Sequence, residues 1–128
     1  MPVQERSSEP PVDAPPARRF TDPGYRPLAG SLGELRGQID RLDEQIVALL
    51  AQRALCVKDA TRFKRSSFEV TSPQRQAEVF ARVRELAGGY ADAFPSLPDV
   101  VEAAYRVLVA GFIAAEDRLF AESEPIEP

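Results

Sequence analysis

From Leu32 to Arg65 the chain runs without a proline, and apolar side chains recur along it every three or four residues. They fall at Leu32, Leu35, Ile39, Leu42, Ile46 and Leu49, and resume at Cys56, Ala60 and Phe63. That spacing keeps one face of an α-helix apolar. Ser31, with Glu34 three residues on, has the pattern of a capping box and marks the start. Such a helix extends roughly 50 Å at 1.5 Å per residue, longer than a domain of this size is wide. Part of its apolar stripe would face water in a monomer. The simplest remedy is burial against a second copy, so the pattern predicts an intertwined homodimer.

Two further helices are legible. One begins at Ser72-Pro73, where Ser suits a cap and Pro the first helical position, and stops near Ala87 at Gly88-Gly89. Its stripe is Val79, Val83 and Leu86, flanked by Phe80. After a loop with Pro95 and Pro98, the last helix runs from about Pro98 to Glu122, with Val101, Tyr105, Leu108, Phe112, Ala115 and Leu119 on one side. No strand pattern, internal repeat or glycine-rich phosphate loop is present. The expected fold class is therefore all-α: a three-helix protomer with a long first helix. Residues 1–30 hold seven of the twelve prolines and little that could build a core, so they read as a disordered leader. Residues 31–122 form the domain, and 123–128 an acidic tail.

Composition narrows the chemistry. The 128 residues carry 16 basic and 20 acidic side chains, an overall balance unlike that of a nucleic-acid or anionic-membrane binder. There is no histidine and one cysteine, Cys56. His-based triads, an intramolecular disulfide and a zinc site are all disfavoured, and neither a metal nor a cofactor is expected. No apolar run is long enough to span a bilayer, and acidic residues and prolines stand where a signal peptide has its apolar core. A cytoplasmic protein is expected.

Several polar residues break the helical pattern. Arg53 takes the seam position of the first helix, where arginine is almost never buried without a partner. It is a pocket cation, or an arginine snorkelling from a dimer seam and setting its register. Lys64 lies eleven residues on, which on a continuous helix returns it to within about 20° of the same face. It faces a dianion bridging it to Arg53, or simply suits the basic end of the helix. Arg75 stands in the first turn of the second helix, where a cation opposes the macrodipole. It projects along the Val79–Val83–Leu86 stripe, or pairs with Glu69 or Glu78. Glu116 falls within the apolar arc of the last helix, or swings to solvent beside Arg118. Arg36 borders the Leu35/Ile39 seam, or pairs with Asp40.

Taken together, these positions resemble the all-helical AroQ class of chorismate mutase, over about Leu32 to Phe120. The resemblance rests on LGELRGQIDRLDEQIVALLAQRALCVKDATRFK, with Arg36 before Ile39-Asp40, then Asp43, Arg53 and Lys64. It continues through Val-Thr-Ser-Pro-Gln-Arg-Gln, with Arg75 and Gln76, and Phe-Ile-Ala-Ala-Glu, which places Glu116. The segment VKDATRFK is similar to the subgroup containing isochorismate-pyruvate lyases. The resemblance implies a three-helix protomer in an interlocked dimer, and cofactor-free rearrangement of chorismate to prephenate. Arg53 and Arg36 would hold the two substrate carboxylates, with Arg36 supplied by the partner subunit. Lys64 would donate to the ether oxygen and a nearby carboxylate, Arg75 would shape the pocket, and Glu116 would face the ether oxygen. Gln76 stands where typical mutases have a Glu that binds the ring hydroxyl, and Ser72 replaces a frequent Asp. The alternatives are a lyase forming salicylate, a mutase of an amino-substituted chorismate, and a non-catalytic helical dimer serving as an interaction module.

Overall fold

The structure, a computed structural model, describes residues 8–126. It is all-helical, with no strand among the described residues. Three long helices, α1 (Leu32–Thr61), α3 (Pro73–Gly88) and α4 (Leu97–Glu122), are joined by one short helix, α2 (Ser67–Thr71). The chain divides into two compact units, Met1–Ala48 and Leu49–Pro128.

In the first unit, residues 8–30 form turns and extended chain that run up to α1. The α1 start follows the capping logic: Ser31 Oγ accepts the Glu34 N–H at 3.2 Å. The Glu34 carboxylate reaches back to the N–H of Gly30, one residue beyond the usual box partner. The segment before the helix lies against it. Val12 accepts a hydrogen bond from the Gly33 N–H at 3.1 Å, and Glu9 pairs with Arg36. Further along, Ile39, Leu42 and Ile46 are each more than half exposed.

In the second unit, α3 and α4 pack antiparallel. Arg84 near the end of α3 meets Asp99 at the start of α4 at 2.7 Å, while Phe80 lies earlier on α3 and under Arg106, later on α4. The innermost apolar side chains are Val70, Ala87 and Val109. Val70 sits on α2, and burying a valine contributes about 1.5–3 kcal/mol, so this single turn of helix is anchored by its own core residue.

The helix ends differ from the expected ones. α1 stops at Thr61, not Arg65. Thr61 Oγ1 bonds back to the Val57 carbonyl, and three successive N–H groups, of Arg62, Phe63 and Lys64, each bond three residues back. This tightening satisfies the last carbonyls and closes the helix. α2 is absent from the sequence reading, although its signal is present: Ser66 and Glu69 have capping-box spacing and, as at α1, the Glu reaches one residue beyond the usual box partner. Ser66 Oγ accepts the Glu69 N–H, and Glu69 Oε1 accepts the Arg65 N–H at 3.0 Å. Ser72 does precede α3, but with left-handed backbone (φ 43°, ψ 66°) and no side-chain cap bond. α3 runs through Gly88, and Gly89 caps it in right-handed conformation, so no left-handed glycine makes the stop.

The face of α1 covered in the second unit is also displaced. Leu50, Arg53, Ala54, Val57 and Thr61 are the shielded positions, whereas Cys56, Ala60 and Phe63 are exposed. A strict seven-residue pattern drifts about 20° per heptad on a straight helix, which moves the contact line in this direction and accounts for part of the displacement, one residue being about 100°.

Candidate functional site

A pocket of about 330 Å³ opens in the second unit, within the range of small-molecule sites. Its floor is apolar, with Val70, Val79, Val109 and Phe112, and its polar lining includes Arg53, Lys64, Arg75, Gln76 and Glu116. Five of the six residues selected from sequence thus meet at one cavity. Arg36 does not line it; Arg36 belongs to the first unit, paired with Glu9.

Each side chain is delivered differently. Arg53 comes from α1 and is half-buried, with its guanidinium over the ring of Phe112 at 5.0 Å and that of Tyr105 at 5.9 Å. Both distances lie within cation–π range. Lys64 is not on α1, so the argument that eleven helical steps return it to the Arg53 face does not apply. The turn after Thr61 carries it to the pocket instead, and its Nζ donates to the Glu69 carbonyl at 3.2 Å. The α1–α2 connection is itself pinned: Arg65 Nε meets the Glu69 carboxylate at 3.1 Å. The Arg65 backbone N–H, with smaller help from the Arg65 and Lys64 charges, holds the Glu69 carboxyl below its ordinary pKa.

Arg75 and Gln76 come from the first turn of α3. Arg75 lines the pocket, yet its side chain is 67% exposed and lies 3.5 Å from Glu78. The expected inward projection is therefore only partial; the Glu78 pairing, weighed as its alternative, is present. The acidic neighbour offsets the charge conflict with the helix N-terminus. Gln76 Nε2 donates to the Thr71 carbonyl at 2.7 Å. This bond fixes the amide and leaves its oxygen as the acceptor.

Glu116, on α4, is 6% exposed, and its Oε1 has no hydrogen-bond partner. Buried polar atoms are nearly always paired, so an orphaned carboxyl oxygen lining a pocket marks a place for a ligand group. Sequence reasoning missed Val70 and Thr71, which frame the pocket from α2, and the pairing of Arg53 with two rings. The Ser66–Glu69 spacing could have revealed α2; nothing local in sequence pairs residues 53, 105 and 112.

A shielded arginine, a loop lysine and an orphaned carboxyl surround the apolar floor, two cationic groups that could hold a small anion. The chain belongs to the chorismate mutase type II family, which matches residues 35–117. It is 30% identical over 93 residues to a bifunctional chorismate mutase/prephenate dehydratase of Aquifex aeolicus, covering 69% of this chain and 24% of that protein. A protein of the same name from Stutzerimonas stutzeri is 36% identical over 70 residues, covering 50% and 19%. A chorismate mutase of Methanocaldococcus jannaschii is 32% identical over 56 residues, covering 43% and 57%. The chain thus spans from about a fifth to somewhat over half the length of these relatives. No solved structure gives a significant match.

Proposed function

We propose that the chain is a chorismate mutase, converting chorismate to prephenate without a cofactor. The observation that carries this reading is the convergence of Arg53, Lys64, Arg75, Gln76 and Glu116 on one pocket of a type II chain. The reaction is a pericyclic [3,3] shift and needs no proton transfer to an enzyme base, so a chain without histidine can catalyse it. The protein's task is to fold a flexible dianion into a compact chair and to stabilise charge growing on the breaking ether oxygen. Arg53, with Arg36 of the partner subunit, would anchor the two carboxylates and supply positioning. Lys64 would donate to the ether oxygen, where a fixed donor acts in a water-poor site. Gln76, with its nitrogen held by Thr71, would offer an acceptor to the ring hydroxyl.

In this reading residues 31–122 are the catalytic domain, flanked by the leader 1–30 and the tail 123–128. The protein works in the cytoplasm as a homodimer with shared sites. Support for the dimer lies in the exposed stripe of Ile39, Leu42, Ile46 and Leu49, each more than half accessible. Arg36, absent from its own chain's pocket lining, would exchange Glu9 for a substrate carboxylate in the site of a second copy. No helix among the described residues is long and apolar enough to cross a membrane.

Gln76 and the segment VKDATRFK favour a second reading, isochorismate-pyruvate lyase, whose reaction is also pericyclic and needs similar anchoring. The purified protein should be incubated separately with chorismate and with isochorismate. Prephenate from chorismate is the expected product; salicylate and pyruvate from isochorismate alone would assign the lyase. No reaction with either would leave a helical interaction module. Glu116, buried with an unpartnered Oε1, would face the ether oxygen; an amide of the same shape can donate there, so Glu116→Gln should keep turnover while Glu116→Ala should lose most of it. A Glu116→Ala variant that folds and turns over like the parent would remove this role.

A further inference from the structure

Arginine presents two different surfaces. The flat faces of the guanidinium take aromatic rings, while its edge carries five N–H donors that match a carboxylate. Most arginines beside the pocket or near it have their edges engaged: Arg75 by Glu78, Arg65 by Glu69, Arg84 by Asp99 and Glu102. Arg53 is different. Among the described residues it makes no ion pair, and its guanidinium instead lies over two rings, Phe112 at 5.0 Å and Tyr105 at 5.9 Å. Both rings come from α4, seven residues and thus two helical turns apart. Phe112 lines the pocket and Tyr105 does not. The guanidinium is therefore shielded by apolar surface without an acid occupying its fork.

We infer that Phe112 and Tyr105 are positioning residues, an aromatic clamp that holds Arg53 by its faces and keeps its donor edge free for a substrate carboxylate. This rests on the reading of the pocket as a dicarboxylate site. A half-buried arginine could instead have been steadied by a carboxylate. That partner would compete with the substrate for the same donors, and would have to be displaced at every turnover. Aromatic faces steady the cation without entering that competition. They also narrow its rotamers before substrate arrives, so less ordering is left to the binding step. The clamp acts on binding of the carboxylate and not on the bond-breaking itself. Its loss is read in KM far more than in kcat.

The test compares steady-state kinetics of Tyr105→Leu, Tyr105→Phe and Phe112→Leu with the parent and with Arg53→Ala, using chorismate or isochorismate, whichever the protein turns over. Thermal melting of each variant checks the fold. The two Leu variants should each raise KM about three- to thirtyfold with little change in kcat, the span that one cation–π contact covers. Tyr105→Phe, which keeps the ring face and loses only the hydroxyl, should recover most of that increase. Leu variants that fold and keep the parental KM would overturn the clamp, as would a Tyr105→Phe variant as impaired as Tyr105→Leu. Should Phe112→Leu fail to fold, Tyr105, which lies outside the pocket lining, carries the test alone. Arg53→Ala separates the two levels. Turnover unaffected by Arg53→Ala removes the dicarboxylate reading and the clamp with it. Turnover lost in Arg53→Ala but intact in the Leu variants removes the clamp only.

Discussion

The two halves of α1 carry the same apolar rhythm and meet different surroundings. Up to Ala48 the stripe is open: Ile39, Leu42 and Ile46 are each over half accessible, and the half's candidate site arginine, Arg36, is engaged by Glu9. Beyond Leu49 the helix has α4 to lean on, with Thr61 buried and Arg53 held over aromatic rings, making no ion pair among the described residues. Hydrophobic periodicity reports which side of a helix avoids water. It does not report what covers that side, nor whether a cation on it will be paired.

The sharpest way to break this comparison is to remove one arginine from each half. Arg53→Ala and Arg36→Ala should each reduce kcat/KM on the order of a hundredfold or more, the scale of losing a charged partner for a buried carboxylate. If the two arginines serve one site from different copies, mixing the two inactive variants should restore part of the activity. Mixed dimers that stay inactive would mean that the halves do not cooperate across subunits.

A smaller effect is expected from the open stripe. Ile46→Asp should shift the protein toward monomer in sedimentation experiments, because a charge would enter a surface proposed to be covered by a second copy. An unchanged sedimentation profile would return the first half of α1 to solvent. Smaller still is Glu9→Gln. Exposed ion pairs contribute at most about 1 kcal/mol, so releasing Arg36 should lower KM by less than about fivefold, with the melting temperature nearly constant. A rise in KM would instead make Glu9 an aid to Arg36.

The last comparison is made with pH. The Glu69 carboxyl, at the exit from α1, is held below its ordinary value by the Arg65 backbone N–H first of all. A lowered folded-state pKa contributes stability that is present above the unfolded value and is lost as pH falls through the folded one. Acid unfolding should therefore lose a small part of its slope below pH 4.5 in Glu69→Gln. A parental slope in that variant would mean the connection to α2 does not depend on this charge.

The three long helices were legible because each carries a stripe bounded by Ser, Pro or Gly. The candidate site is legible as a cluster because Arg53 and Glu116 sit where apolar residues belong, and burial at 6% shows that Glu116 is not an edge residue. Lys64 was placed near the right neighbours for a wrong reason. The helix expected to carry it ends four residues early, at Thr61, through backbone bonds that no side-chain pattern announces. The short α2 was overlooked because five residues are too few for periodicity to register, and only its cap could have been read. The aromatic partners of Arg53 lie more than fifty positions away in sequence, out of reach of any local rule.

Ser72 has the only positive φ among the described non-glycine residues, and it immediately precedes the turn that delivers Arg75 and Gln76. A residue with a Cβ held there costs roughly 1–2 kcal/mol, so the pocket lip is kept under tension by the rest of the unit. Glycine at this position would relieve the tension and steady the fold, yet it would also let the lip wander. Durability and the definition of the pocket lip therefore pull Ser72 in opposite directions.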